Sequence, residues 1–155
     1  MRIEPVPFDH PDAVALRAAH EAFGDALYAS DPASKHRSTS EVLDPASVLL
    51  TVVAYDDGRP VGHACLRRLG GDMAGDLEIK RMFVEPDARG SGVADALLAA
   101  VEQRARDEGV SRVVIHTGDR QHAALRFYER HGYTPIDVFP PYEAVTYSRC
   151  FERVF

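Results

Sequence analysis

The sequence predicts an α/β protein built on a mixed, mostly antiparallel central sheet with helices on both faces. Three observations carry that expectation. Residues 48–55 and 60–69 are β-rich runs around a tight turn at Asp56-Asp57-Gly58-Arg59, a hairpin signal. Residues 78–108 and 112–131 each read as a strand followed by an amphipathic helix, the pattern of a crossover unit. Two further strand-like runs, 133–136 and 145–151, close the chain.

Taken in order, residues 2–8 alternate weakly and read as an edge strand, since Pro5 and Pro7 lack the amide donors of a central one. Asp9 or His10 can cap the helix that follows, with Pro11 in its first turn. Val14, Leu16, Ala18, Ala22, Phe23, Ala26 and Leu27 give that helix an apolar face ending near Tyr28. Residues 30–40 are polar and read as an exposed, mobile loop, which can equally end in a short helix through 41–43. The hairpin comes next, then a turn over 70–75 into the strand that carries Glu78. A Pro86-Asp87 turn leads to the long helix, Gly109 stops it, and 112–116 is a buried strand reached by a right-handed crossover. Gly132 stops the last helix, and Phe139-Pro140-Pro141-Tyr142 joins the closing strands.

The chain of 155 residues reads as one domain, long enough to bury a core. Its net charge of -6 argues against general nucleic-acid binding, which needs a basic face. Two cysteines, Cys65 and Cys150, make no disulfide framework, and no apolar run approaches the ~20 residues that span a bilayer. A cytoplasmic protein without a membrane partner is expected, and the sequence leaves a homodimer open.

The chemistry is read from residues 78–108. Arg89-Gly90-Ser91-Gly92-Val93-Ala94 is a glycine-bearing turn that opens directly into a helix. The first amides of a helix have no internal partner and sit at the positive end of its dipole, so such a turn suits phosphate. Glycine allows close approach and positive φ, and Arg89 adds a cation with fork geometry. The Walker lysine is missing and a third dinucleotide glycine is replaced by Asp95, so neither of those motifs fits. A solvated turn capped by Ser91 is the other reading of the loop alone.

Arg89-x-x-Gly92-x-Ala94, with Gln121-x-x-Ala124-x-x-x-Tyr128-x-x-x-Gly132-Tyr133 downstream, resembles the two signatures of the GNAT superfamily of acyl-CoA-dependent N-acetyltransferases. The resemblance covers roughly residues 48–133 and implies the GNAT fold with acetyl-CoA as co-substrate. It implies that Gly90, Ser91, Gly92, Val93 and Ala94 bind the pyrophosphate through backbone amides, with Arg89 ordering the loop. Met82, Phe83 and Val84 match the strand segment that pairs with the pantetheine arm, where a bulge amide would polarise the thioester carbonyl. Gln121 stands where Asn is commoner and would contact the same arm. Tyr128 matches the general acid that protonates the departing thiolate, and a core aromatic with a satisfied hydroxyl is its alternative.

An alkyl ammonium is about one part in two thousand neutral at pH 7, so its attack on a thioester needs a proton acceptor. Glu78 matches the strand glutamate that many GNAT enzymes use directly or through water. An ion pair with Arg81, Arg67 or Arg68 is an equal alternative. His63 is a second candidate base. His116, Asp119 and His122 lack a metal-ligand spacing, so no metal is expected. A covalent cysteine is a minor alternative because neither thiol has an activating pair in sequence. The expected activity is direct acetyl transfer to a small amine or amino acid; protein N-terminal or lysine acetylation and a silent acyl-CoA sensor are the runners-up.

Overall fold

The structure, a computed structural model, describes residues 1–30 and 43–155; the loop and short helix expected over 30–43 fall almost wholly outside them. Among the described residues, seven strands form one sheet in the order β1-β2-β3-β4-β5-β7-β6. These are β1 (Arg2–Pro5), β2 (Val48–Asp56), β3 (Arg59–Arg68), β4 (Leu77–Val84), β5 (Arg112–Gly118), β6 (Thr134–Ile136) and β7 (Ser148–Val154). The helices are α1 (Pro11–Leu27), α2 (Val93–Asp107) and α3 (His122–Arg130). Every neighbouring pair is antiparallel except β4–β5, which the α2 crossover makes parallel. No helix among the described residues is long and apolar enough to cross a membrane.

Alternation along β2 shows how the two faces fill. Val52 and Ala54 pack under α2 with Leu97 and Val101, whereas Val53 and Tyr55 point the other way to Ala13 and Leu16 of α1. Ala124, Leu125, Phe127 and Tyr128 of α3 join the α2 side. On the opposite face a third cluster sets Phe139 and Tyr142 against Val114 and Cys150. β7 begins at Ser148 rather than 145, because Tyr142–Ala144 forms a 3-10 turn closed by the Val145 amide on the Tyr142 carbonyl. β1 stops at Pro5, which leaves Pro7 outside the ladder.

Two irregularities in β4 position the site. It pairs with β5 only at Leu77–Val113, Glu78–Val114 and Ile79–Ile115, and beyond that a cavity separates the two strands. On its other edge the register slips: His63 pairs with Phe83 but Cys65 pairs with Lys80. Arg81 and Met82 therefore oppose Ala64 alone, a bulge, and Arg81 takes a left-handed φ of 55°.

Gly118 ends β5 where α1 closes on it. A Cβ there would land on the Tyr28 hydroxyl, and Tyr28 is pinned by stacking on Tyr147 and by the Arg120 amide, which donates to its oxygen at 3.0 Å. Gly118→Ala should therefore destabilise the fold by about 1–3 kcal/mol, the cost of overpacking a tight contact. Denaturant midpoints of the two proteins measure it, and equal midpoints would contradict the contact.

Candidate active site

The turn before α2 is shaped by glycine. Gly90 and Gly92 have φ of 78° and 85°, and Gly92 is the N-cap residue in left-handed geometry. No side chain caps the helix, and the Ser91 hydroxyl instead donates to the Ala88 carbonyl at 2.6 Å. Open space lies where a Cβ on either glycine would stand. The first-turn amides thus keep their positive end toward an uncrowded cavity. Arg89 donates from Nε to the Val84 carbonyl at 3.0 Å, with its guanidinium 4.6 Å from the Phe23 ring. It fastens the loop to the end of β4 and to α1.

This cavity has a volume of about 680 Å³ and runs from the turn along Met82, Phe83 and Val84 to Gln121 and Tyr128. Arg120 and Arg130 add cationic groups to its wall beside His122, and Asp95 lies 2.8 Å from His131 Nε2. Of the residues expected at the cofactor, Ser91 and Val93 bring no side chain to it. Val93 is buried, and its methyl would meet any Cβ placed on Gly62. What they can offer a ligand is the backbone amide.

A second cavity, of about 160 Å³, lies between the separated ends of β4 and β5. Glu21 and Asp25 of α1, with Tyr28 at its C-cap, form one wall, and Lys80, His116, Tyr142 and Tyr147 line the rest. The two cavities share His20, Met82, Gln121, Ala124 and Tyr128, so they adjoin at these residues. Tyr128 is 4% exposed and donates to the Met82 sulfur at 3.5 Å. Burial raises its pKa above the usual phenol range, so the hydroxyl keeps its proton.

Glu78 lies apart from both walls. It is fully buried, accepts from Arg67 Nε at 2.9 Å and from the Tyr142 hydroxyl at 2.5 Å, and has Lys80 Nζ 3.7 Å away. Of the ion-pair partners weighed for it, Arg67 is the one in contact. Glu78 communicates with the smaller cavity through Tyr142, whose oxygen also accepts from Lys80 at 2.5 Å. By the family resemblance the loop that holds Tyr142 shapes the acceptor pocket or packs on the core; its reach to Glu78 spans 64 positions and has no local signature.

His63 is fully buried rather than set at the acceptor cavity. Its pKa is lowered to about 4, first by burial and then by the charges of Arg17 and Arg81, so near neutrality it carries no charge. Cys65 and Cys150 are also buried, and burial raises both thiols, which removes the thiolate a covalent mechanism needs. His116 lines the smaller cavity and His122 the larger, so the histidines weighed as metal ligands face different spaces. His20, Phe23 and Leu27 of α1 also line the larger cavity. Their helical spacing in sequence matches an ordinary core face, so nothing marked them as site residues.

Among the described residues the sheet parts between its two parallel neighbours, with a glycine-opened helix beside the gap, an arrangement suited to a phosphate-bearing ligand. The chain belongs to the acetyltransferase (GNAT) family, which it matches over residues 15–133. An uncharacterized N-acetyltransferase of Mycobacterium tuberculosis is 36% identical over 100 residues, 64% of this chain. The chain spans 61% of that relative's length and less than half of several others. A Klebsiella pneumoniae structure assigned as an acyl-CoA N-acyltransferase superposes with a TM-score of 0.79 and 28% identity over 99% of this chain and 96% of its own. The PaiA N-acetyltransferase of Thermoplasma acidophilum, solved with coenzyme A, shares the fold at a TM-score of 0.70 and 15% identity, with both chains covered completely.

Because His63 titrates lower in the folded chain than its ordinary 6.5, the unfolded chain binds its proton first as pH falls. The stability this group contributes is complete above pH 6.5 and is lost as pH drops toward 4. Between pH 7 and 4.5 the wild type should lose roughly 2–3 kcal/mol more than His63→Asn, as read from denaturant midpoints. Parallel pH curves for the two proteins would show that His63 is not buried as a neutral ring.

Proposed function

We propose that the chain transfers the acetyl group of acetyl-CoA to a primary amine of a small molecule or amino acid. The observation that supports it most is the meeting of the two cavities at Met82 and Tyr128, one suited to a long phosphate-bearing ligand and the other to a small acceptor. Acetyl-CoA supplies the acetyl group as an activated thioester. The first-turn amides of α2 and the cations of the larger cavity would hold its pyrophosphate, and Met82, Phe83 and Val84 its pantetheine arm. Glu21 and Asp25 give the smaller cavity carboxylates that attract an ammonium, across from Lys80 and Arg81.

Tyr128 holds a proton at the junction, available to a departing thiolate. Its raised pKa does not disqualify it, because burial in the same place penalises a thiolate too, as it does at Cys65 and Cys150. Glu78 takes the acceptor proton through Lys80 and Tyr142: Lys80 Nζ, which lines the smaller cavity, passes a proton to the phenol oxygen it is bonded to and takes the acceptor's in its place, while the phenol hydrogen passes to the carboxylate. Loss of one ammonium proton thus ends as one protonated carboxyl, with Tyr142 unchanged.

The test is an amine panel with acetyl-CoA, read by thiol release against pH, for the wild type, Tyr128→Phe, Tyr142→Phe and Glu78→Gln. Turnover by the wild type is expected on small amines. Tyr128→Phe should lower it by ~10²–10⁴ with acetyl-CoA affinity nearly intact. Tyr142→Phe and Glu78→Gln should move the acidic limb of the profile alike. A wild type that binds acetyl-CoA and turns over no amine would leave a sensor.

A further inference from the structure

The left-handed residue in β4 sits beside the junction of the two cavities. A bulky residue at positive φ costs on the order of 1–3 kcal/mol and persists only where the surroundings enforce it. At Arg81 the enforcing group is on β3. His63 Nδ1 donates to the Arg81 carbonyl at 2.9 Å, and its Nε2 accepts from Arg17 Nη1 at 3.1 Å. A carbonyl can only accept and a guanidinium can only donate, so these two partners fix one neutral tautomer with the proton on Nδ1. Arg17 is itself held, with Nη2 on the Phe8 carbonyl and its guanidinium 3.8 Å from the Phe8 ring. The brace therefore runs from Phe8, before α1, through Arg17 and a buried ring to one peptide unit of β4.

That unit is shared with Met82. A trans peptide is planar with its C=O and N–H opposed, so holding the Arg81 carbonyl also sets the direction of the Met82 N–H, away from the imidazole. Met82 lines both cavities, and its sulfur receives the Tyr128 hydroxyl. His63 lines neither cavity and cannot touch a substrate there. We propose that His63 is a positioning residue for acyl transfer, which holds the β4 bulge so that its amide faces the thioester carbonyl. The inference rests on the acetyltransferase reading above. It gives a buried polar ring, otherwise a costly occupant of a sheet interior, a task that an apolar residue of equal size could not perform.

Two variants separate this role from a packing role. His63→Leu fills the space without a donor. His63→Asn keeps a nitrogen donor at the same number of bonds from Cα as Nδ1 but gives up the ring and the Arg17 contact. The probe is acetyl-CoA carrying carbon-13 at its carbonyl, read by difference infrared spectroscopy on the full chain, with kcat from the amine panel. In the wild type the bound carbonyl band should move to lower wavenumber than that of free acetyl-CoA. His63→Asn should retain the moved band, and His63→Leu should return it to the free position with kcat about 10²-fold lower. CoA, which has no such carbonyl, should bind both variants as it binds the wild type. If His63→Leu does not fold, His63→Gln replaces it, since its amide stands one bond too far out for the Arg81 carbonyl. A moved band and full kcat in the donor-less variant, or equal loss in both variants, would overturn the proposal, as would an unmoved band in an active wild type. A wild type that acetylates nothing defeats the underlying reading instead.

Discussion

Strands β4 and β5 pair in parallel at three positions and then part, and the rest of the site follows from what fills that gap. A parted sheet exposes backbone donors and acceptors that ordinarily satisfy one another, and burying them without partners costs free energy. Side chains of both strands, Lys80 and His116 among them, line a small cavity, and the edge of β4 that faces β3 is re-registered by a one-residue bulge. The bulge turns the chain so that Met82 reaches the gap while Phe83 returns to its pairing with His63.

Around this gap the polar groups are concentrated where the sheet is most deeply covered. Glu78 and His63 are fully buried in the middle of the sheet, and each is bonded on two sides. Removing one partner of a buried ion pair typically costs 3–5 kcal/mol, so the Arg67–Glu78 pair also fixes the geometry of Tyr142. Tyr142 stacks on His116 with centroids 3.8 Å apart, and His116 reaches the Ser148 hydroxyl at 2.8 Å. The closing strand is thereby tied to the cavity by side chains as well as by its ladder with β5. On the other face Tyr133, just past α3, donates to the buried Glu102 of α2, which Arg153 of β7 neutralises. That bond joins the helix carrying Tyr128 to the helix that the glycine turn opens.

Much of this was legible in the sequence because the features are local. The glycine turn, the helix behind it and the spacing from Gln121 to Tyr128 are patterns within one element, and helical or strand periodicity shows which face they occupy. The mixed sheet with helices on both faces followed from the hairpin and the two strand–helix units, whereas the placing of β7 between β5 and β6 did not. Glu78 was different, since its burial and its bond to Tyr142 depend on a loop 64 positions away. His63 reads in the sequence as a second candidate base, and its bonds to Arg17 and Arg81 do not show there, because these partners lie on α1 and on a bulge whose register no local pattern encodes. The start of β7 was misplaced because the aromatic run after Phe139 closes a turn before it extends.

The account stands on one spatial claim, that the thioester lies where Met82 and Tyr128 meet. A crystal structure of the chain with acetyl-CoA measures it directly. The account predicts pyrophosphate oxygens on the amides at the start of α2, the thioester carbonyl within hydrogen-bonding reach of the β4 bulge, and the sulfur facing the Tyr128 hydroxyl. A thioester bound elsewhere, or a pyrophosphate away from Gly90 and Gly92, would contradict it.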